Sequence, residues 1–194
     1  MPEFKDYMPG GSTIVNSSSE TVSMIDHLSN SNTTIDERHR RVHRGNMFSN
    51  SHLMNMTGIS THNVTGLTPA TGTIHFQISN FASVFGNVTV DFYEGSSPPV
   101  GSTPLSSYNR NRNSTAVATI VVSHDGTISA LGTLLSKGYI PGSTGIAGTG
   151  AGGQVTDDTE WILKPSTYYT IQITNPSASN TINISYVWYE AGVN

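Results

Sequence analysis

From residue 47 onward, apolar side chains recur at every second position. That spacing suits a β-strand with one buried face and does not suit a helix. Ile182, Ile184, Tyr186 and Trp188 form the longest such row. Tyr169, Ile171 and Ile173 form a second, and Val88, Val90 and Phe92 a third. Ile74, Phe76 and Ile78 alternate in the same way, as do Trp161 and Leu163, while Met47–Met54 and Ile59–Val64 carry a weaker pattern. Ala116–Val122 reads as a more buried strand. The Asp125-Gly126 pair after it predicts a tight hairpin, with Ile128–Leu135 as the return strand. The count comes to about eight or nine strands, with no strand–helix–strand alternation. An all-β fold follows: an antiparallel β-sandwich, with a jelly roll as the natural closure.

Composition agrees. Hydrophobic residues make up 35 % and charged residues 11 %, against roughly 45–50 % and about 25 % in average soluble domains. Lys and Glu are too scarce for a long-helix protein, and the low charge argues against a disordered one. The 194 residues suffice for one closed core with an arm attached.

The arm is expected over residues 1–46, ahead of a β-sandwich domain over 47–194. Ser17-x-x-Glu20 and Thr34-x-x-Glu37 match the capping-box spacing. Val22, Ile25 and Leu28 recur at every third position, which predicts a short amphipathic helix. A second helix is expected over Ile35–Arg44, ended by Gly45. Two long insertions, Gly95–Tyr108 and Lys137–Gly153, interrupt the strands; loops of that length are usually functional.

The chain has no Cys, which excludes disulfides, thiolate metal sites and Cys nucleophiles. Met1–Gly10 has neither a basic start nor an apolar run, so no signal peptide is expected. Apolar stretches fall short of the ~18–20 residues of a membrane span. Net charge is −4, yet all six Arg fall in two clusters: Arg38, Arg40, Arg41 and Arg44, then Arg110 and Arg112. A mildly acidic body with two local Arg clusters lacks the broad basic face of a nucleic-acid binder. It fits docking onto an acidic or carbonyl-rich partner.

The candidate chemistry is thin. Gly148-Thr149-Gly150-Ala151-Gly152-Gly153 spells a dinucleotide fingerprint, but no strand feeds it and no helix start follows, so a loop is expected. His39 and His43 would share a helix face as metal ligands can, yet the neighbouring Arg residues oppose a bound cation, and a docking role is preferred. Asp157, Asp158 and Glu160 form the one acidic cluster, read here as a solvated loop rather than a calcium or catalytic site. No Gly-x-Ser-x-Gly elbow is present. The strand aromatics Tyr93, Tyr168, Tyr169, Tyr186, Trp188 and Tyr189 would allow a sugar platform but more often serve packing. No catalytic, cofactor-binding or metal-ligating residue is assigned, and no enzymatic activity is expected.

One resemblance emerges from residue order. It is carried by His39-Arg40-Arg41-Val42-His43-Arg44-Gly45 leading into Phe48, by Phe92-Tyr93-Glu94, and by Asn109-Arg110-Asn111-Arg112-Asn113-Ser114. Trp161-Ile162-Leu163-Lys164 with Thr167, Tyr168 and Thr174-Asn175, and Trp188-Tyr189-Glu190, complete it. Over roughly residues 35–190 the chain resembles the head-decoration (cement or capsid-stabilising) proteins of tailed bacteriophages. The resemblance implies a β-sandwich subunit on the capsid exterior, made in the host cytoplasm, bound to the major capsid protein and to itself, with no cofactor and no catalysis. A trimer is favoured over a dimer, and the long Ile182–Trp188 face is expected to leave sheet area for a neighbouring copy to cover. On that view Arg38, His39, Arg40, Arg41, His43, Arg44, Arg110 and Arg112 touch capsid or subunit. The alternatives are a receptor-binding or tail-fibre head domain and a carbohydrate-binding β-sandwich module.

Overall fold

The computed structural model describes residues 13–14, 23–26, 31–34, 37–142, 160–177 and 179–192. The first described residues form a small antiparallel sheet of β1 (Thr13–Ile14), β2 (Ser23–Asp26) and β3 (Ser31–Thr34). The helix expected around Val22–Leu28 is therefore replaced by a strand. Ile25 pairs with Asn32, and Met24 with Thr13 on one side and Thr33 on the other. A helix this short is marginal by itself, whereas Thr-rich neighbours favour extended pairing.

The second helix is present as α1 (Glu37–His43). Of the expected capping boxes, Ser17–Glu20 and residues 35–36, which join Thr34 to the helix, lie outside the described residues. The C-terminus behaves as the sequence predicts. Gly45 takes φ +72°, Asn46 N donates to Arg41 O at 3.3 Å, and Gly45 N donates to Val42 O at 2.9 Å. That bond pair is a Schellman cap. A Cβ on Gly45 would also lie 2.3 Å from Ser114 Oγ, so two constraints demand glycine.

Two antiparallel sheets then pack face to face. Sheet I has the order β12-β6-β14-β4-β9 and sheet II the order β11-β7-β13-β5-β10-β8. Their strands are β4 (Met47–Thr57), β5 (Ser60–Leu67), β6 (Thr73–Ser83), β7 (Val88–Glu94), β8 (Thr103–Pro104), β9 (Tyr108–Asn109), β10 (Val121–His124), β11 (Thr133–Ile140), β12 (Trp161–Leu163), β13 (Tyr168–Asn175) and β14 (Ser179–Ala191). With β8–β10 set aside, the remaining eight strands order first, eighth, third, sixth in one sheet and second, seventh, fourth, fifth in the other. That is the jelly-roll arrangement. The three short strands belong to an insertion between β7 and its partner β11, and they lengthen both sheets beside β4 and β5.

The expected Asp125-Gly126 hairpin is not formed. β10 pairs with β5 and β8, while the return strand begins only at Thr133 and pairs with β7. Asp125 takes φ +60° and Gly126 stays out of the left-handed region, so the type I′ turn, which needs both, cannot close. Thr127 instead exchanges both backbone hydrogen bonds with Val100, at 3.1 and 2.9 Å. Nor is Ala116–Val122 a buried strand: Val117 is 84 % exposed, and Ile120 and Val122 alone are core residues there.

The alternating rows account for the core. Ile182, Ile184, Tyr186 and Trp188 on β14 are all buried, facing Ile171, Ile173 and Tyr169 of β13 across the sandwich. This row is covered within the single chain, so the sheet area expected to await a second copy at Ile182–Trp188 is not there. Truncating Ile184, which is fully buried, leaves a cavity between the sheets; Ile184→Ala should lower stability by about 2–5 kcal/mol. The change is read as a lower urea midpoint at an unchanged m-value.

Candidate docking site

The two Arg segments lie far apart in sequence and meet in the fold. Asn109, buried at the end of β9, donates from Nδ2 to Gly45 O at 2.6 Å and to Ala116 O at 3.0 Å, and its Oδ1 accepts from Asn111 N at 2.9 Å. Asn111 Nδ2 donates to His43 O, the last residue of α1, at 3.0 Å. Arg110 N donates to Met47 O at 2.9 Å. The Arg110–Arg112 turn is thereby fixed against the C-terminus of α1, where basic side chains also complement the helix dipole.

The eight residues of the expected contact set divide by environment. Arg41 is buried, with its guanidinium 4.8 Å from the centre of the Tyr189 ring. Arg38 donates to the buried Gln77 Oε1 on β6, and Arg40 is half-buried. Arg38 and Arg41 hold α1 to the outer face of sheet I. His39 and His43 are exposed on one helix face with their Nε2 atoms 3.0 Å apart. Arg44, Arg110 and Arg112 are exposed, as is Arg38 despite its bond to Gln77. Arg110 also borders a polar cleft of about 330 Å³ with Tyr108, Ser49, Ser51, Ser79 and Ser185.

Glu160 is not simply solvated: its Oε1 lies 2.6 Å from His75 Nδ1 and 3.1 Å from the Tyr189 hydroxyl. Asp157, Asp158 and the Gly148–Gly153 run lie outside the described residues. Among the sequence aromatics, Tyr169 lies in the interior, where its hydroxyl donates to Glu94 Oε2 at 2.7 Å and accepts from Lys164 N at 2.8 Å. Burial, with the Glu94 carboxylate beside it, pushes the Tyr169 hydroxyl up to about 12. Hydrogen bonds from Lys164 and Tyr169 hold the Glu94 carboxyl below the usual carboxylate range.

Sequence reasoning missed a second constellation. His52 on β4, His62 on β5 and His124 on β10 meet Asp125 at the sandwich edge. His62 Nδ1 lies 2.5 Å from Asp125 Oδ1, and His124 Nδ1 lies 2.7 Å from Asp125 Oδ2. The His52 and His124 rings are 4.2 Å apart. Burial, and then the neighbouring His124, push the His52 imidazole down. Burial would raise the Asp125 carboxyl, but hydrogen bonds from His124 and His62 outweigh it and hold it low. No spacing rule could find this group, because its members come from three strands. The one local signal was an Asp-Gly pair that does not turn a hairpin.

No protein-family model, no curated protein and no solved structure matches this chain. Among the described residues, no helix is long and apolar enough to cross a membrane.

Two outcomes follow from this geometry. Asn109→Ala strands two carbonyls and the Asn111 amide; it should cost about 1–3 kcal/mol in urea unfolding and speed amide exchange at residues 111–116. The Glu94 carboxyl sits lower in the folded than in the unfolded chain, so its stabilisation is present above the unfolded value and lost as pH falls through the folded one. Wild type should therefore exceed Glu94→Gln in melting temperature at pH 7, with the difference closing below about pH 4.

Proposed function

We propose that this chain is a structural virion protein. It decorates and stabilises the outer surface of a tailed-phage head by binding between subunits of the major capsid protein. The observation that supports this best is the meeting of the two Arg segments, 68 residues apart at the Asn111–His43 bond, on one exposed face of a jelly roll. Guanidinium forks donate bidentate hydrogen bonds to carboxylates and carbonyl-rich edges. A mildly acidic body limits adhesion elsewhere on a surface of like sign. Contacts that are weak singly gain strength when many copies sit on one lattice.

On this proposal the protein performs no turnover and works from the capsid exterior as a homo-oligomer, with a trimer favoured over a dimer. The surface for self-association is not the Ile182–Trp188 row, which the chain buries itself. Exposed apolar side chains such as Leu53, Val121, Tyr139 and Ile162 are the candidates for subunit contact.

The docking set to mutate is Arg44, Arg110 and Arg112, which are exposed, whereas the exposed Arg38 bonds Gln77 of sheet I. Arg41 is part of the packing, so its loss would confound binding with folding. The variant Arg44→Ser/Arg110→Ser/Arg112→Ser should keep the wild-type melting temperature and light-scattering mass. It should lose most of its co-sedimentation with purified heads of the phage that encodes the chain. Wild-type binding should itself weaken as salt rises from about 0.05 to 0.5 M, because exposed ion pairs are screened. If wild type does not co-sediment with heads, the decoration role is overturned. Should the triple variant bind as wild type does, the arginine face is not the docking surface.

A further inference from the structure

The histidine–aspartate group at the sandwich edge has a geometry that packing does not explain. His52 stands opposite Ile184 of β14, which is fully buried, so it points to the inner face of sheet I. His124 stands opposite the buried Val64 of β5, so it points to the inner face of sheet II. Their rings meet across the gap between the sheets, 4.2 Å apart. Two imidazoles thus occupy a place where the neighbouring positions carry Met54, Val64 and Val122. Among the described residues, the His52 ring makes no hydrogen bond. His124 Nδ1 is taken by Asp125, so each ring keeps one nitrogen whose lone pair, in the neutral tautomer, is open to a Lewis acid.

Asp125 supplies the missing charge. It is one of two non-glycine residues with positive φ among the described residues, at +60°. This backbone, anchored by Asp125 N donating to Asn63 O at 2.9 Å, turns the carboxylate back onto the histidines. A left-handed residue held by its surroundings is a frequent companion of functional sites. One carboxylate and several imidazoles is a donor set that suits first-row divalent metals.

We propose that His52, His124 and Asp125 bind one Zn²⁺ ion that ties sheet I to sheet II, with His62 as the positioning residue for Asp125. One donor atom from each of the three lies within 4.8 Å of the others. Zinc bound at about 2.0–2.2 Å in a tetrahedron sets donors about 3.4 Å apart. The site therefore needs donor separations to close by up to about 1.4 Å, which rotation of the side chains, with rearrangement of the His124–Asp125 hydrogen bond, can supply. Asp125 is 42 % exposed on its side chain, which leaves the fourth position open to water. His62 Nδ1 at 2.5 Å from Asp125 Oδ1 is the outer hydrogen bond that usually orients a metal-bound carboxylate. A chain without cysteine thereby gains a cross-link between its two layers. The exposed pair His39 and His43 offers only two donors, beside the arginines of α1.

The test uses the full chain, stripped with a chelator and titrated with Zn²⁺ by calorimetry. One ion per chain should bind with a dissociation constant of micromolar or tighter, and the melting temperature should rise by several degrees, as for any ligand of the native state alone. His52→Ala and His124→Ala should abolish both effects, and His62→Ala should weaken binding about 10–100-fold. The double variant His39→Ala/His43→Ala should bind as wild type. Co²⁺ added to the stripped wild type should give the intense visible bands of a four-coordinate nitrogen–oxygen site. If either alanine variant fails to fold by circular dichroism, His52→Gln and the Co²⁺ spectrum decide the matter. Absence of binding at about 100 μM Zn²⁺, octahedral Co²⁺ bands, or binding that survives in the His52 variant and vanishes in the His39/His43 variant would each overturn the site.

Discussion

The whole molecule depends on the inward row of β14. Asn180, Ile182, Ile184, Tyr186, Trp188 and Glu190 alternate with half-exposed residues over thirteen positions, and every inward one is buried. This strand is central in sheet I, paired with β4 on one side and β6 on the other. A one-residue slip would turn the entire row outward, so register is enforced by the hydrophobic term itself. The aromatic members extend the effect to the other sheet. Trp188 stacks on Phe48 and Tyr186, Tyr186 meets Phe76, Phe76 meets Phe92 of sheet II, and Phe92 stacks on Tyr169, with centroids 5.7–6.1 Å apart. Pairs at that separation add directional preference to area burial.

The row ends in a charge, and that charge places the insertion between β7 and β11. The Glu190 carboxylate, 3 % exposed as a residue, accepts from Thr119 N at 2.9 Å, Thr119 Oγ1 at 2.7 Å and Trp188 Nε1 at 3.1 Å. A buried carboxylate is tolerable only when so satisfied. Holding Thr119 delivers Ile120 into the core and starts β10 one residue later, which in turn presents His124 and Asp125. Farther back along the insertion, Asn50 Nδ2 donates to Ser106 O at 2.6 Å and Asn109 ties the Arg110–Arg112 turn to Gly45. Both candidate surfaces, arginine and histidine, thus depend on buried polar side chains that hold one non-repetitive segment in place.

That contrast explains what could be read from the residues alone. Strands whose order is imposed by burial, such as Ile182–Trp188 or Tyr169–Ile173, carry period two in plain letters, and the jelly roll follows from their number. The Gly45 stop was legible because a Schellman cap is a local rule. Asp125-Gly126 misled for the same reason: local turn preference favoured a hairpin, but pairing with Val100 and the capture of Ile120 by the core outweighed it. Ser23–Asp26 misled through weak periodicity, which strand pairing overrode. Arg41 read as a docking cation, whereas the Tyr189 ring beneath it becomes a partner only when β14 and α1 are brought together. The histidine group was invisible, since no spacing links residues 52, 62 and 124.

The two surfaces sit on a common strand yet are separable. β4 begins at Met47, whose carbonyl holds the Arg110 amide, and His52 follows five residues on. At about 3.4 Å per residue, an antiparallel strand sets them roughly 17 Å apart. The arginine face lies at the end of α1, while His52 points into the gap between the sheets. Sites so spaced without shared partners perturb each other little, and their effects add to within a few tenths of a kcal/mol. Besides β4, the insertion joins them, through Asn109 at one end and Asp125 at the other. A loss at Asn109 that weakened the histidine site would show the insertion moving as one body. Strict additivity would show it anchored independently at Glu190, which the hydrogen bonds from Thr119 N, Thr119 Oγ1 and Ile120 N to that carboxylate favour.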